Sequence, residues 1–521
     1  MARILVTERI ADAGLDRLRA AGHDVDVRTD LSEEALLGAV EGAHALIIRS
    51  ATQVNDAVLA AAGDLVVVGR AGIGLDNVDI AAATQRGVMV VNAPQSNVLS
   101  AAEHTMALLL AQARNVPQAH MALVEGRWER SQWEGVELAD KTLGIVGLGR
   151  IGKLVAERAK SFGMRLVAFD PYISADRARQ LGVELVDLDG VVAVADFLTI
   201  HLPRTPETIG IIGRDLLLKA KPSLRVINVA RGGIVDEAAL AECIRDGVVA
   251  GAALDVFETE PTTSSPLFEL PSVVATPHLG ASTREAQDKA GDTIADMVQL
   301  ALAGEFVPYA VNISAAEASE TLRPHLPLAE RLGRLFASLV GGMPSSLEIS
   351  VEGEIGGYDT RILGLALLKG YFGHTTDEPV TYVNAPQIAK DRGVDVREVN
   401  STTSSDYVNL VTVRGGGHAM SATLVGRRNQ QRLVMVDEHT CDIPPAEHLL
   451  MVVNDDRPGV IGTVGTTLGT AGVNIDDMDV GRAEEVGTAV MMIATTQRAA
   501  SDVVDTLRQA PGIVSVATLS G

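Results

Sequence analysis

Cysteine and positive charge are both scarce in this chain of 521 residues. Its two cysteines, Cys243 and Cys441, are too few for a disulfide framework and favour a reducing compartment. Lysine and arginine number 44 against 67 aspartates and glutamates, which gives a net charge of −23. That balance argues against a general nucleic-acid or anionic-membrane surface. An anionic ligand must therefore be drawn in by local arginines.

Long apolar runs, a leader sequence and a zinc-binding pattern are also missing. No uninterrupted apolar stretch reaches about 18 residues, so no membrane span is predicted. The start, Met-Ala-Arg-Ile-Leu-Val, passes directly into strand-like sequence without a signal-peptide pattern, and we expect a cytoplasmic location. No Cys/His spacing indicates zinc, so no metal site is predicted. The length favours about three or four domains.

The stretch Lys141–Pro171 carries the most specific pattern in the chain. A short apolar, β-branched run predicts a buried parallel strand, and it leads into GLGRIG at 147–152. Gly147 permits a tight turn, Gly149 lets the backbone approach a pyrophosphate, and Gly152 allows close packing of helix on strand. These features predict a dinucleotide-binding βαβ unit, and the alternative is an ordinary βαβ unit with incidental glycines.

The residues that follow the glycines indicate which dinucleotide binds. Arg150 and Ile151 open a helix whose unpaired N–H groups suit phosphates. Asp170 ends the second strand, about 20 residues beyond the glycines, where a carboxylate accepts hydrogen bonds from the adenosine ribose. This carboxylate would repel a 2′-phosphate, so the predicted cofactor is NAD rather than NADP.

Strand-like runs in the N-terminal part end in polar or glycine-rich turns. In open parallel sheets, ligands bind beyond the carboxyl ends of the strands. Arg49, Ser50 and Gly72 are therefore candidates for binding an anionic substrate. The alternative for Arg49 is a surface arginine in an ion pair. His104 lies in a long helical stretch, and we predict a hydrogen-bonded structural histidine rather than a site residue.

Three polar residues follow strand-like runs further along the chain, namely Arg231, Glu260 and His278. Oxidation of an alcohol by NAD needs a base for the hydroxyl proton, and histidine is the natural base near neutral pH. Glu260 can orient the imidazole, and Arg231 can hold a carboxylate in a bidentate fork. Together they predict a 2-hydroxy acid dehydrogenase. Each has a simpler alternative: a structural salt bridge for Arg231, a solvated acid for Glu260 and a helix cap for His278.

Further cofactor contacts are predicted at the same edge of the sheet. With the residues of the glycine loop and Asp170, the predicted contacts are His201, Val229, Ala230, Arg231, Asp255, His278 and Gly280.

The C-terminal unit, 446–521, shows the strand, helix, strand, strand, helix, strand order of a βαββαβ fold. Asp456 lies in its first turn, where N–H groups and the helix dipole suit a ligand carboxylate and Asp456 could pair with a ligand ammonium. Asn474 begins the next strand and could bind the ligand across an interface between two such domains. The alternative is a helix-capping aspartate in a domain used only for assembly.

Several of these motifs resemble the D-2-hydroxyacid dehydrogenase family. They are GRAGIGLDNVD (69–79), VNAP (91–94), GIVGLGRIG (144–152), VARGGIVDE (229–237), LDVFETEP (254–261) and PHLGAST (277–283). The family's catalytic arginine, glutamate and histidine fall on Arg231, Glu260 and His278. VNAPQIAKDRG (383–393) and DRPGVIGTVGTTLGTAGVNI (456–475) are similar to the intervening domain and the ACT domain of the long-form members.

The resemblance implies a complete α/β architecture. A Rossmann-type NAD-binding domain (96–283) is inserted in a flavodoxin-like substrate-binding domain (1–95 and 284–312). A mixed α/β intervening domain (313–445) and a C-terminal βαββαβ ACT domain (446–521) follow.

The resemblance also implies an activity and its regulation. The long-form members oxidise 3-phosphoglycerate to 3-phosphohydroxypyruvate, the first step of phosphorylated L-serine biosynthesis, and assemble as homotetramers. L-Serine is the implied effector, with Asp456 and Asn474 on serine-binding positions. Asn454 also falls on a ligand-contacting position, where other members carry His or Tyr. The competing interpretations are a sister dehydrogenase of the glyoxylate or hydroxypyruvate type, and an NAD-sensing protein without turnover.

Overall fold

The computed structural model describes residues 1–313, 320–376, 380–482 and 488–521. The described residues form two parallel sheets, a six-stranded mixed sheet and a four-stranded antiparallel sheet. A search of these residues finds no helix both long enough and apolar enough to span a membrane.

The N-terminal part alternates strands and helices around a five-stranded parallel sheet. Its elements are β1 Arg3–Val6, α1 Asp12–Ala20, β2 Asp24–Val27, α2 Glu33–Val40, β3 Ala45–Ile48, α3 Asp56–Ala61, β4 Val67–Arg70, α4 Ile80–Gln85 and β5 Met89–Asn92. Three side chains, Ser32, Asn55 and Asp79, start helices by accepting the N–H three residues on. The order β2-β1-β3-β4-β5 is flavodoxin-like, which confirms the expected fold of this half.

A second, seven-stranded parallel sheet follows the long helix α5, Val98–Arg114. Its further elements are α6 Val116–Val124, β6 Thr142–Val146, α7 Arg150–Ser161, β7 Arg165–Phe169, α8 Ala175–Leu181, β8 Glu184–Leu185, α9 Leu188–Val194, β9 Phe197–Ile200, α10 Arg214–Leu217, β10 Arg225–Asn228, α11 Glu237–Arg245, β11 Gly251–Leu254 and β12 Val273–Ala275. The order β12-β11-β10-β9-β6-β7-β8 is that of a doubly wound dinucleotide-binding sheet.

The chain then returns to the first sheet through α12, Arg284–Leu302. Thr283 caps this helix by accepting the Ala286 N–H. Ile294 and Val298 are fully buried in the same apolar core as Ile4 and Ile47 of β1 and β3. The second sheet is therefore an insertion within the first domain, as expected.

The third part packs α13 against a six-stranded sheet in the order β14-β13-β15-β16-β17-β18, and α14 packs on α13. Its elements are α13 Leu326–Val340, β13 Ser346–Gly353, α14 Arg361–Thr375, α15 Ala385–Asp391, β14 Asp395–Ser401, β15 Asn409–Gly415, β16 His418–Val425, β17 Gln430–Val436 and β18 His439–Ile443. The mixed α/β prediction for this part is confirmed.

The C-terminal part has the βαββαβ order predicted from the sequence. Its elements are β19 His448–Asn454, α16 Val460–Thr470, β20 Ile475–Arg482, β21 Ala489–Thr495, α17 Ser501–Arg508 and β22 Ile513–Ser520. The sheet is antiparallel in the order β20-β21-β19-β22.

Candidate active site

His278 and Glu260 meet beyond the carboxyl ends of β11 and β12, as a hydrogen-bonded pair. The distance between His278 Nδ1 and Glu260 Oε2 is 2.6 Å. Burial acts to raise the pKa of the Glu260 carboxyl, but hydrogen bonds from His278 and from the Phe257 N–H outweigh it and lower that pKa. The carboxylate is therefore ionised near neutral pH and stabilises a protonated imidazole.

The backbone of His278 is held in an unusual conformation. Its φ is +55°, in the left-handed region that residues other than glycine rarely adopt. The His278 N–H donates to the Asp255 and Thr276 carbonyls, at 2.9 and 3.0 Å. Such local strain persists only where surrounding contacts enforce it, and it is frequent at functional sites.

The fully buried Asp255 carboxylate supplies those surrounding contacts. Oδ1 accepts the Leu279 N–H at 2.7 Å and the Thr276 hydroxyl at 2.6 Å, and Oδ2 accepts the Gly280 N–H at 2.8 Å. Burial acts to raise the pKa of Asp255, but these bonds and one to His104 outweigh it and lower the pKa. Through these bonds Asp255 positions the histidine loop, and its contact with the cofactor stays a prediction.

His104 completes this network from α5. Its Nε2 lies 3.1 Å from both Asp255 Oδ1 and Thr276 Oγ1. The predicted hydrogen bonding of His104 is confirmed, and its exclusion from the site stays a prediction.

Arg231 reaches the cleft between the two parallel sheets. Its Nε lies 3.4 Å from Oδ2 of Asp76, which belongs to the turn after β4. A Cβ on Gly74 would lie 2.4 Å from Arg231 Nη2, so the guanidinium sits directly against this turn. The tertiary structure thus brings Arg231 against the half of the molecule that carries Arg49, Ser50 and Gly72.

Arg70 is a cationic residue of this cleft that the sequence analysis did not single out. Its Nε donates to the Arg49 carbonyl at 3.2 Å, and a Cβ on Gly72 would lie 2.6 Å from its Nη1. Burial and the neighbouring charge of Arg231 lower the pKa of Arg70 to about 10, so it stays cationic at neutral pH. Its position directly at the carboxyl end of β4 was the available signal.

Arg49 shows no ion pair among the residues that the structure describes; its Nη1 lies 3.4 Å from the Arg9 carbonyl. The structural alternative of a surface ion pair is therefore not what is seen. Ser50 is exposed in the same loop. Both remain candidates for substrate binding.

The glycine loop has the shape that a dinucleotide requires. Gly147 has a φ of +97°, and a Cβ on Gly152 would lie 2.2 Å from the Gly147 carbonyl oxygen. The space around the α-carbon of Gly149 is open, and no side chain caps the N-terminus of α7, so N–H groups of Arg150 and Ile151 are available to phosphates. The residues present therefore fit the pyrophosphate of NAD.

The Asp170 carboxylate is hydrogen-bonded to the backbone of the glycine loop. Its Oδ2 accepts the Leu148 N–H at 2.7 Å, and its Oδ1 accepts the Tyr172 N–H at 2.8 Å. Each oxygen keeps lone-pair capacity for a ribose hydroxyl.

We expect Asp170→Ala to weaken NAD binding by about tenfold and to reduce the preference for NAD over NADP, since the lost carboxylate binds ribose and repels a 2′-phosphate. KM values for both cofactors check this, with Asp176→Ala on the exposed start of α8 as the control. An unaltered cofactor preference would show that Asp170 is not at the ribose.

The other predicted cofactor residues line the same edge. His201 follows β9 and its Nε2 lies 3.0 Å from Thr199 Oγ1; burial lowers the pKa of His201 to about 3, so its ring is neutral. Val229 and Ala230 follow β10, and a Cβ on Gly280 would lie 3.0 Å from Val229 Cγ1. Their contacts with the cofactor remain predictions.

Two of the candidate effector residues, Asn454 and Asp456, lie at the turn after β19, whereas Asn474 precedes β20 at the opposite end of the C-terminal sheet, level with the start of β19. Asn454 is buried, with Nδ2 donating to the Ala489 carbonyl and Oδ1 accepting the Asp456 N–H, both at 3.0 Å. Asp456 has a φ of +49°. Asn474 is exposed, and its Nδ2 donates to Asp476 Oδ1 at 3.1 Å. These bonds of Asn454 shape the turn, and its contact with an effector stays a prediction.

Three family profiles match successive parts of the chain. Residues 106–280 match the D-isomer specific 2-hydroxyacid dehydrogenase, NAD binding domain. Residues 321–437 match the D-3-phosphoglycerate dehydrogenase intervening domain, and residues 448–512 match the ACT domain.

Similar proteins extend over almost the full length. The chain is 47% identical over 507 residues to D-3-phosphoglycerate dehydrogenase of Mycobacterium tuberculosis, covering 96% of each. It is 41% identical over 519 residues to that of Archaeoglobus fulgidus, covering 98% of each. Among solved structures, the TT0316 protein from Thermus thermophilus covers 59% of this chain and 99% of its own, with 36% identity and a TM-score of 0.56. The apo-structure of D-lactate dehydrogenase from Escherichia coli gives 26% identity and a TM-score of 0.54 over 59% and 99%.

These matches and the doubly wound sheet define an NAD-dependent dehydrogenase of the D-2-hydroxyacid class. The sequence identity to these relatives extends over the intervening and ACT domains as well as the catalytic half. Within that class the chain belongs to the D-3-phosphoglycerate dehydrogenase family.

Proposed function

We propose that this protein oxidises 3-phosphoglycerate to 3-phosphohydroxypyruvate with NAD. The observation that carries the proposal is the gathering of Arg49, Arg70 and Arg231 at one cleft, in a chain that also pairs His278 with Glu260 and whose net charge is −23. A substrate with a carboxylate at one end and a phosphate at the other needs separated cations of this kind.

Each side chain has a defined task in this reaction. Arg231 holds the substrate carboxylate and polarises the adjacent oxygen. His278, whose Nδ1 is bonded to Glu260, takes the hydroxyl proton on Nε2, and Glu260 stabilises the imidazolium that results. Bound NAD supplies the acceptor for the hydride that leaves C2. Arg49 and Arg70 lie on the other wall of the cleft, where they would face the phosphate.

A substrate panel tests this function. NADH formation is measured with 3-phosphoglycerate beside lactate, glycerate and 2-hydroxyglutarate. The highest kcat/KM with 3-phosphoglycerate supports the proposal. A clear preference for a substrate without phosphate would favour a sister dehydrogenase, and NAD binding without turnover on any of them would favour an NAD-sensing protein.

The proposed assembly is a homotetramer. Exposed apolar side chains cluster on α6 and the loop after it, including Met121, Leu123, Val124 and Trp128, the last of which is 83% exposed. Surfaces of this kind mark protein–protein contacts, which supports a contact between subunits there. Light scattering after size exclusion measures the mass, and a monomer would refute the assembly.

L-Serine is the proposed effector of the ACT domain. The turn between β19 and α16 offers backbone N–H groups at the N-terminus of α16, which carries no side-chain cap, together with the carboxylate of Asp456. Asn474, which directly precedes β20 at the opposite end of the sheet, is the second proposed contact, made across an interface between two ACT domains.

We expect L-serine to inhibit the wild type, and Asp456→Ala or Asn474→Ala to relieve this inhibition without greatly changing basal turnover. A serine titration of the full chain measures it, and Asp505→Ala, on the exposed face of α17, serves as the control. Absence of both inhibition and serine binding in the wild type would reject the regulatory role and leave the dehydrogenase assignment intact.

A further inference from the structure

A half-buried carboxylate, that of Glu8, lies under the loop that carries two candidate substrate residues. Oε1 accepts the N–H groups of Arg49 and Thr52, at 2.8 and 2.9 Å, and Oε2 accepts that of Ala51 at 3.1 Å. Burial acts to raise the pKa of Glu8, but these backbone bonds outweigh it and hold the pKa below its usual value. The carboxylate is therefore ionised throughout the neutral range and binds the loop with charge-assisted hydrogen bonds.

The carbonyl groups of the same loop are held from the other side. Asn77 Nδ2 donates to the carbonyls of Arg49 and Thr52, at 2.9 and 2.6 Å. Arg70 Nε also donates to the Arg49 carbonyl. Three side chains thus fix the backbone of 49–52, and Glu8 is the one that accepts from its N–H groups.

Simple electrostatics makes a carboxylate here unfavourable for binding an anionic substrate. Glu8 lines a crevice of about 430 Å³ that also contains Arg49, and its charge opposes any anion that approaches this loop. Burial and Arg231 lower the pKa of Arg70 overall, and the attraction of Glu8 acts in the opposite direction and partly offsets the positive charge of the cleft. If Glu8 acts only through its electric field, removing its charge should strengthen substrate binding and lower KM. If Glu8 positions the loop, removing the charge should weaken substrate binding and raise KM.

We propose that Glu8 is a positioning residue of the substrate site: its carboxylate fixes the 49–52 loop, and so places the Arg49 guanidinium and the Ser50 hydroxyl for the phosphate-bearing end of the substrate. This role rests on the proposed function of the cleft. Glu8 itself does not touch the substrate.

Two variants of Glu8 test the proposal in the full-length enzyme. Glu8→Gln keeps the shape of the side chain, but its amide NH₂ replaces one oxygen and faces a backbone N–H. The hydrogen bonds that this oxygen accepted from the 49–52 loop are therefore lost. We expect its KM for 3-phosphoglycerate to rise by about 10- to 100-fold, with kcat within about threefold and KM for NAD unchanged. Glu8→Asp keeps the charge and withdraws the oxygens by one methylene, and we expect KM to rise there too.

The control is Glu33→Gln, which removes a charge from the same crevice without a contact to the loop in the described residues. Its KM should stay at or slightly below that of the wild type. A fall in KM for Glu8→Gln, or an unchanged KM in Glu8→Asp, would overturn the proposal in favour of a field effect.

Hydrogen–deuterium exchange of the peptide that spans Arg49–Thr52 gives a readout that does not need turnover. We expect faster exchange in Glu8→Gln than in the wild type and Glu33→Gln, with other peptides unchanged. Unchanged exchange in this peptide would refute the proposal that Glu8 fixes the 49–52 loop. If the wild type fails to oxidise 3-phosphoglycerate while exchange in the loop still accelerates, the substrate assignment fails and the role of Glu8 in fixing the loop stands, so the two failures are distinguishable.

Discussion

Replacement of His278 by alanine is expected to lower kcat by about 10²- to 10⁴-fold, because general acid–base catalysis typically contributes that much. NADH binding should largely persist, since the glycine loop between β6 and α7 and Asp170 directly after β7 supply the proposed pyrophosphate and ribose contacts without this side chain. Steady-state kinetics measure the loss of kcat, and a fluorescence titration with NADH measures whether cofactor binding is retained. His374→Ala, at the exposed end of α14, is the control. Turnover near that of the wild type would remove His278 from the mechanism.

Glu260→Gln gives the accompanying pH test. Hydrogen bonds from His278 and the Phe257 N–H outweigh burial and lower the pKa of Glu260, so its carboxylate is ionised where it meets the imidazole at 2.6 Å. A neutral amide removes this charge, and we expect a lower kcat and a pH profile that no longer contains the titration of Glu260. A profile that coincides with the wild type would mean that Glu260 does not support the histidine.

Loss of Arg231 is the second large effect. We expect Arg231→Ala to reduce kcat/KM by roughly 10²- to 10³-fold, since removing one partner of a hydrogen-bonded charge pair costs about 2–5 kcal/mol. Arg231→Lys should recover only part of this, because an ammonium cannot offer the bidentate fork. The loss should appear with every 2-hydroxy acid that the enzyme accepts, because the carboxylate is common to them.

Arg225→Ala is the matched control for this variant. Arg225 lies at the opposite end of β10, with its guanidinium over the Phe197 ring at 5.6 Å from the centroid, and so away from the cleft. It should leave kcat/KM within about threefold of the wild type. An equal loss in both variants would indicate a general disturbance of the sheet rather than a carboxylate-binding role for Arg231.

Local sequence patterns determined the catalytic half of the fold with good accuracy. The strand predicted before the glycine loop is β6, Thr142–Val146, and the strand predicted before Asp170 is β7, Arg165–Phe169. The reason is that apolar periodicity, turn glycines and helix caps act over a few neighbouring residues.

The sequence also determined which polar residues meet at the edge of the second sheet. Parallel strands place their carboxyl ends together, so Glu260 and His278 could be paired before any distance was known. The resemblance to one enzyme family added the C-terminal parts, which contain no catalytic pattern of their own.

Only the tertiary structure decided how the two parallel sheets share one cleft. The contact of Arg231 with Asp76 and Gly74, and the place of Arg70 between Arg49 and Arg231, depend on how the inserted domain sits against the first. The hydrogen bonds between Glu8 and the 49–52 loop join residues about forty positions apart. Such contacts form between residues that are far apart in the sequence, so no local motif predicts them.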